Sequence, residues 1–347
     1  MTTTLVRASS PTAARRRSVT TRLTWVLVAL VALALACVAS VAFGARIVGW
    51  SDIAHGLTGG EDTIGQAAVA KRIPRTLLAI LVGAALGVAG AVMQGVTRNP
   101  IADPGILGIT SGASLAVVSG IALFGLSAPT SYIWVAIAGA ALAAAFVYGI
   151  GSLGRGGATP LKLALAGAAT SAAFSSLISA ILLPRVDVMN VYWHWQIGGV
   201  GGATYGRIAQ MLPFLVVGAL VCLAASRGLN ALALGDDVAA GLGERVATTR
   251  LLAFVGAVTL CGAATAVAGP IAFVGLVVPH VCRLLIGIDH RWLLPFAAIT
   301  GATLLTVADV VGRVIARPEE IDVGIITAFV GAPFFIYIVR KQKVRAL

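Results

Sequence analysis

The chain has 347 residues, of which 59% are hydrophobic and only 11% charged, with a formal net charge of +12. Soluble domains carry roughly 25% charged residues, so a water-soluble protein is excluded and the useful count is of membrane spans, about 20 apolar residues each. The cations sit mostly at the ends of apolar runs with no basic block interleaved with aromatics, which argues against a nucleic-acid partner and marks them as topology signals. The 41 glycines suit close helix packing in lipid, and the four cysteines, all within apolar segments and without a CxxC pair, read as small packing residues.

A basic tail over 1–22, with Arg7, Arg15, Arg16, Arg17 and Arg22, precedes the first apolar run. That run, Leu23 to Phe43, is longer than the 7–15 residues of a secretion-signal core and predicts a retained transmembrane helix. Apolar runs between polar breaks predict ten spans, near 23–44, 73–96, 105–125, 132–151, 161–183, 208–226, 250–269, 271–286, 293–313 and 322–339. The stretch from Arg250 to Ile286 is too long for one span and is divided at Gly269-Pro270. The last span is followed by Arg340, Lys341, Lys343 and Arg345, so both termini are expected in the cytoplasm, which requires an even number of spans. Alternating loops from there puts most of the 25 Lys and Arg residues on the cytoplasmic side, as the positive-inside rule demands.

Arg72 and Arg75 precede the second span and Arg313 ends the ninth, so all three are expected at the external rim; position alone favours interfacial anchoring. "TRNPIADPGILG" (97–108) predicts a cytoplasmic turn, because Asn99 and Asp103 each precede proline and Gly105 follows. The external "DVMNVYWHWQIGGVGG" (187–202) fits either an interfacial aromatic belt or a short helix at a pathway mouth. "ALGDDVAAGLGERVATTR" (233–250) predicts a helix opened by Asp236 and Asp237 that runs through Leu242, a break at Gly243 and a second helix opened by Glu244. Small residues around a glycine break suit either a connecting loop or a surface that docks a partner. Asp309 lies inside an apolar run with Arg313 one turn on, which predicts a structural ion pair rather than a proton relay.

The sequence lacks the elements of self-powered or covalent chemistry. Lys71, Lys162, Lys341 and Lys343 are preceded by Ala, Leu, Arg and Gln, so there is no GK and no phosphate-cradling loop. His55, His194, His280 and His290 are scattered and form no HExxH, so no metal site is expected, and "GASL" (112–115) is a chance match to an intramembrane serine protease.

Four stretches carry a resemblance: "RIPRTLLAILVGAALGVAGAVMQGVTRNPIADPGILGITSGAS" (72–114), "ALGDDVAAGLG" (233–243), "GPIAFVGLVVPHVCRLLIGIDHR" (269–291) and "ADVVGRVIARPEEIDVGIITAFVGAPFFIYIVRK" (308–341). From about residue 23 to 341 the chain resembles FecCD-type permeases of ABC importers for iron-siderophores, haem and cobalamin. The resemblance implies an all-α membrane protein of about ten transmembrane helices, the type II ABC importer permease architecture, in a single domain over 23–341 with a coupling loop at 227–249 and a cytoplasmic tail at 342–347. It implies a second permease subunit, identical or similar, and cytoplasmic ABC ATPase subunits that bind the ATP and magnesium and dock on Asp236, Asp237, Gly241, Leu242, Gly243, Glu244 and Arg245. It also implies an extracytoplasmic substrate-binding protein whose acids meet Arg72, Arg75 and Arg313. No cofactor, metal or catalytic residue is implied for this chain, and its place is the bacterial cytoplasmic membrane. Many siderophore members have Gly-Ser-Leu where this chain has Gly198-Gly199-Val200. The competing expectation is an ion-coupled secondary transporter that uses Asp309.

Overall fold

A computed structural model describes residues 18–126, 129–153 and 159–341; most of the basic tail (1–17) and the tail 342–347 lie outside the described residues. Every element within them is helical: α1 (Val19–Ala42), α2 (Trp50–Leu57), α3 (Ile64–Thr97), a 3-10 turn (Pro104–Leu107), α4 (Ile109–Phe124), α5 (Pro129–Ser152), α6 (Pro160–Leu182), α7 (Val186–Gln196), α8 (Tyr205–Ala224), α9 (Ser226–Leu232), α10 (Asp236–Gly241), α11 (Val246–Ala268), α12 (Val274–Ile286), α13 (His290–Ile315) and α14 (Val323–Lys341). Seven of these are long and apolar enough to cross a membrane, and α4, α12 and α14 are shorter apolar helices. Together they coincide with the ten predicted spans, offset by a few residues. The break at Gly269-Pro270 is present: α11 stops at Gly269, whose φ of 70° suits a residue without Cβ, and α12 begins only after Phe273.

The two ends of the bundle are distinguished by what they hold. One end, called here the near end, carries the start of α1, the α3–α4 turn, α9, α10 and the start of α13, joined by contacts such as Arg22–Asp289 and Arg98–Asp236. The far end carries the end of α1, α2, the start of α3 and the end of α13, where Arg72 and Arg313 both reach the last turn of α1.

The core is built on α3, which packs along α13, α11 and α12. At 34 residues it is about 51 Å long at 1.5 Å per residue, well beyond the ~30 Å hydrocarbon core. Its first turns therefore extend past the end of α1, whose last carbonyls meet Arg72. Against α13 it runs antiparallel in one register, with Arg75 at Asp309, Gly83 at Gly301, Gly87 at Ala297 and Gly95 at His290. A Cβ on Gly83 would strike the Gly301 carbonyl, and one on Gly301 would strike the Gly83 carbonyl. Glycine at both positions lets two backbones touch where lipid supplies no hydrophobic drive between helices. The same logic joins α3 to α12, where Gly90 abuts the Gly275 carbonyl.

Two short helices were not anticipated. α2 sits in the segment between the first two spans, and α9 continues almost directly from α8 through Ala225, so the passage before Gly235 is helical rather than loop. α7 makes the external aromatic stretch a helix rather than only a belt of side chains.

Candidate functional site

At the far end, α13 presents Asp309, 1% exposed, to two guanidiniums. Arg75 donates from Nε (3.0 Å) and Nη2 (2.8 Å) to Oδ1, and Arg313 Nη2 lies 2.9 Å from Oδ2. The fork geometry from Arg75 gives a charge-assisted contact with fixed orientation. Its remaining nitrogen, Nη1, donates to Glu320 at 2.6 Å; Glu320 is 40% exposed and forms the outer edge of the cluster.

The other two predicted docking arginines are employed inside the chain. Arg72 donates from Nη1 to the Val41 and Ala42 carbonyls (2.7 and 3.0 Å) and from Nη2 to the Arg46 carbonyl (2.7 Å). Arg313 donates to the Ser40 and Phe43 carbonyls (3.0 and 3.1 Å) and to Ser40 Oγ (2.7 Å), and Arg317 Nε donates to the Gly44 carbonyl (2.8 Å). The physical reason lies in α1, whose last turn leaves carbonyls without intrahelical partners and carries the negative end of the helix dipole. Cations from α3 and α13 cap it. This corrects the expectation that all three arginines stand at the rim: Arg72 is 6% exposed and Arg313 1%, and of the three only Arg75 reaches the surface, beside Glu320. Sequence reasoning missed Glu320, which no local spacing links to Arg75.

At the near end, Asp236 starts α10 and accepts from Arg98 of the α3–α4 turn and from Arg250 Nη2 of α11 (3.1 Å). The carboxylate also faces the positive end of its own helix. Glu244 does not open a helix as expected; α11 starts at Val246, and the Glu244 carboxylate instead accepts from Thr249 Oγ1 while its N–H donates to the Ala239 carbonyl (3.0 Å). With Leu232 and Ala239 fully buried, Leu234, Val238 and Leu242 stand out at 62%, 51% and 66% exposure. These three lie four residues apart beside exposed Asp237, Gly241, Gly243 and Arg245. An apolar strip edged by charge at the end of a bundle has the composition of an interaction surface.

Asn230 joins this surface to α13. Its Nδ2 donates to Asp289 Oδ1 (2.7 Å), and its Oδ1 accepts from the His290 N–H (2.9 Å). Hydrogen bonds from Arg291 and Asn230 hold the Asp289 carboxyl down at about 2. The Asn230 signal was invisible in sequence because its partners are 59 and 60 residues away.

Between the two ends, α4, α6 and α7 enclose a cleft of about 250 Å³ lined by Ser114, Ser175, Ser179, Tyr192 and Gln196. The Gln196 Oε1 accepts from Ser114 Oγ (3.1 Å) and Tyr192 Oη (2.7 Å). The outward face of α6 exposes Ala168, Ala172, Ser175, Ser176 and Ser179 together with Leu165 and Leu177, whereas α1 exposes Leu23, Leu27, Val31, Leu35 and Val38. Small and hydroxylated residues suit helix contact or a polar pathway; the branched aliphatics of α1 suit lipid. Among the described residues, no group of three His, Cys, Asp or Glu is placed to hold a metal ion.

Comparison with known proteins agrees with this fold. The profile of the FecCD transport family matches residues 31–341. The siderophore transport system permease protein YfiZ of Bacillus subtilis is 40% identical over 319 residues, covering 91% of this chain and 96% of that one. The ferric enterobactin transport system permease protein FepD of Escherichia coli is 47% identical over 272 residues, covering 78% of this chain and 81% of that one. A solved metal-chelate type ABC transporter in an inward-facing conformation superposes with a TM-score of 0.80 at 29% identity, covering 92% of this chain and all of that one. A helical bundle with seven membrane-length apolar helices and this match along most of its length is a multi-pass membrane permease, and the chain belongs to the FecCD transport family.

Proposed function

We propose that this chain is the permease subunit of an ATP-driven importer that carries a ferric siderophore or a related metal chelate inward, as one of two permease subunits. The observation that carries this reading is the exposed Leu234–Val238–Leu242 strip, held rigidly by Asp236 between Arg98 and Arg250 and tied through Asn230 to α13. A permease with no nucleotide site of its own needs such a surface to receive the motion of a separate ATPase.

From that surface, α13 and α3 run in contact to the far end, where Arg75 and Glu320 form the accessible charged edge. A binding protein that delivers the chelate would meet this edge, and Arg75 would engage its carboxylates. Arg72 and Arg313 support the site from behind by capping α1. The near end is the cytoplasmic one, as the positive-inside distribution favours. The hydroxylated cleft and the small-residue face of α6 suit a weakly polar pathway at the seam with the second permease. YfiZ and FepD carry siderophore and ferric enterobactin names, which supports that cargo class.

Asp309 argues against the ion-coupled alternative, since two arginines neutralise it at the end of α13 rather than at the midplane, where a coupling site belongs. The test is uptake of radiolabelled ferric siderophore by proteoliposomes containing the permease, its ATPase and its binding protein. Uptake that needs all components and ATP supports the proposal; uptake that follows an imposed ion gradient without ATP overturns it.

A further inference from the structure

We infer that α2 is an interfacial helix that rests in the lipid headgroup boundary at the far end of the bundle, a contact separate from the transport surfaces. Successive residues of an α-helix turn by about 100°, and on this basis α2 divides into three sectors. Asp52, Ile53 and Gly56 face the protein: Gly56 is buried with its Cα against Val69 and the Gln66 carbonyl of α3, and Asp52 Oδ1 accepts from Thr63 Oγ1 at 2.9 Å. Ser51, His55 and Thr58 form an exposed polar sector, followed directly by exposed Glu61 and Asp62. Trp50, Ala54 and Leu57 form an exposed apolar sector, with Trp50 84% exposed and Leu57 52%.

A helix that meets only protein and water has no use for the third sector. A helix that lies along a bilayer surface needs all three, and a tryptophan at its edge matches the residue that concentrates at membrane–water boundaries. The occupant is identified by continuity. The exposed aliphatic stripe of α1 runs through Leu35 and Val38, and the chain beyond α1 exposes Phe43 (55%) and Ile47 (82%) before reaching Trp50. Phe43, Ile47, Trp50 and Leu57 thus extend the surface that α1 already gives to lipid, and the polar sector of α2 marks where that surface meets water. The ion pairs of the far-end cluster lie on α3, α13 and the α13–α14 turn, so this contact does not depend on the docking edge.

The experiment uses the full-length permease in liposomes of phosphatidylethanolamine and phosphatidylglycerol, with Cys37→Ala to remove the one cysteine that is not buried. Single cysteines replace Ile47, Trp50 or Leu57 in the apolar sector and Ser51 or His55 in the polar one, each carrying a nitroxide. Collision with oxygen, which concentrates in lipid, is compared with collision with a water-soluble nickel chelate. The expected result is an oxygen-to-nickel ratio several-fold higher at 47, 50 and 57 than at 51 and 55. Ile47→Cys, which lies outside the helix, reports the apolar side even if replacing Trp50 disturbs folding. Nickel-dominated collisions at all five sites would overturn the inference. So would loss of both collisions at 50 and 57, which would assign the face to a second copy, or to the binding protein if the loss occurred only on its addition.

Discussion

Arg75 and Asp309, 234 residues apart in the chain, meet through two nitrogens of one guanidinium while Arg313 closes on the same carboxylate from one helical turn away. The carboxylate is the hinge of the cluster. Removing it leaves two buried cations facing each other without the carboxylate between them, and breaking such a buried arrangement from one side typically costs about 3–5 kcal/mol. Asp309→Ala is therefore expected to lower the melting temperature of the permease in nanodiscs more than Arg313→Ala does, because without Arg313 the carboxylate still pairs with Arg75, whereas without Asp309 both guanidiniums lose their shared anion. The double variant Asp309→Ala/Arg313→Ala is expected to be less damaging than the sum of the two. Strict additivity would mean that the residues act independently.

The Arg75–Glu320 contact is the exposed member of that cluster, so its net contribution to stability is small, about 0–1 kcal/mol. Its significance is competition: Glu320 occupies the one Arg75 nitrogen that Asp309 leaves over. Glu320→Gln is expected to leave the melting temperature nearly unchanged and to strengthen binding-protein capture in a salt-sensitive manner, whereas Arg75→Glu is expected to weaken it. Surface plasmon resonance on nanodisc-held permease, at two salt concentrations, decides the matter. Identical affinity across all three proteins would remove Arg75 from the docking edge.

How much of this was legible in the sequence depended on how far apart the partners lie. Spans are dictated locally, since a bilayer demands about 20 apolar residues with internally satisfied backbones, and ten such runs reappear as ten helices. The Asp309–Arg313 spacing was legible because four residues make one helical turn. Arg75 and Glu320 were not legible as its neighbours, because only the antiparallel register of α3 on α13 brings them together. Arg72 was misplaced for the same reason: its partners are backbone carbonyls of α1, which no side-chain pattern announces. α2 was missed because eight residues with Asp52 and His55 do not make an apolar run, although their three-sided arrangement is present in the sequence once the helix is known.

The near-end surface separates docking from folding. Leu242 is 66% exposed, whereas Asp236 holds α10 in place. Leu242→Asp is expected to abolish ATPase co-purification and transport with no change in melting temperature. Asp236→Asn is expected to weaken both docking and the hold of Arg98 and Arg250 on α10, seen as faster hydrogen exchange in residues 236–243. Undiminished co-purification by Leu242→Asp would dismiss the strip as the docking surface.

Acid sensitivity at the near end follows from Asp289. Its carboxyl titrates at about 2 in the folded chain against 3.8 when unperturbed, so its stabilising effect is complete above about pH 4 and is lost as pH falls toward 2. Asp289→Asn retains a helix cap for α13 but cannot hold Arg291 by charge. The melting temperatures of the two proteins are expected to differ slightly at pH 6 and to converge as pH falls from 4 to 2. A difference that stays constant across that window would place the stabilising effect elsewhere.

The α3–α13 register supplies the strongest test of how the two ends communicate. Gly83 and Gly301 each face the other's carbonyl, so a methyl on either must push apart two backbones that cannot give way as a flexible side chain would. Overpacking of this kind costs about 1–3 kcal/mol. Gly301→Ala is expected to insert normally, to melt at a lower temperature, and to retain ATPase docking, because Asp236 and Asn230 are untouched. Its ATP hydrolysis should respond less to added binding protein than that of the parent permease, since the rod joining His290 to Asp309 has lost its fit. Leu304→Ala, on the same helix but away from the glycine contact, controls for destabilisation alone. An equal loss of response in both variants would reduce the effect to stability, and an unchanged response in Gly301→Ala would show that the α3–α13 contact does not carry the coupling.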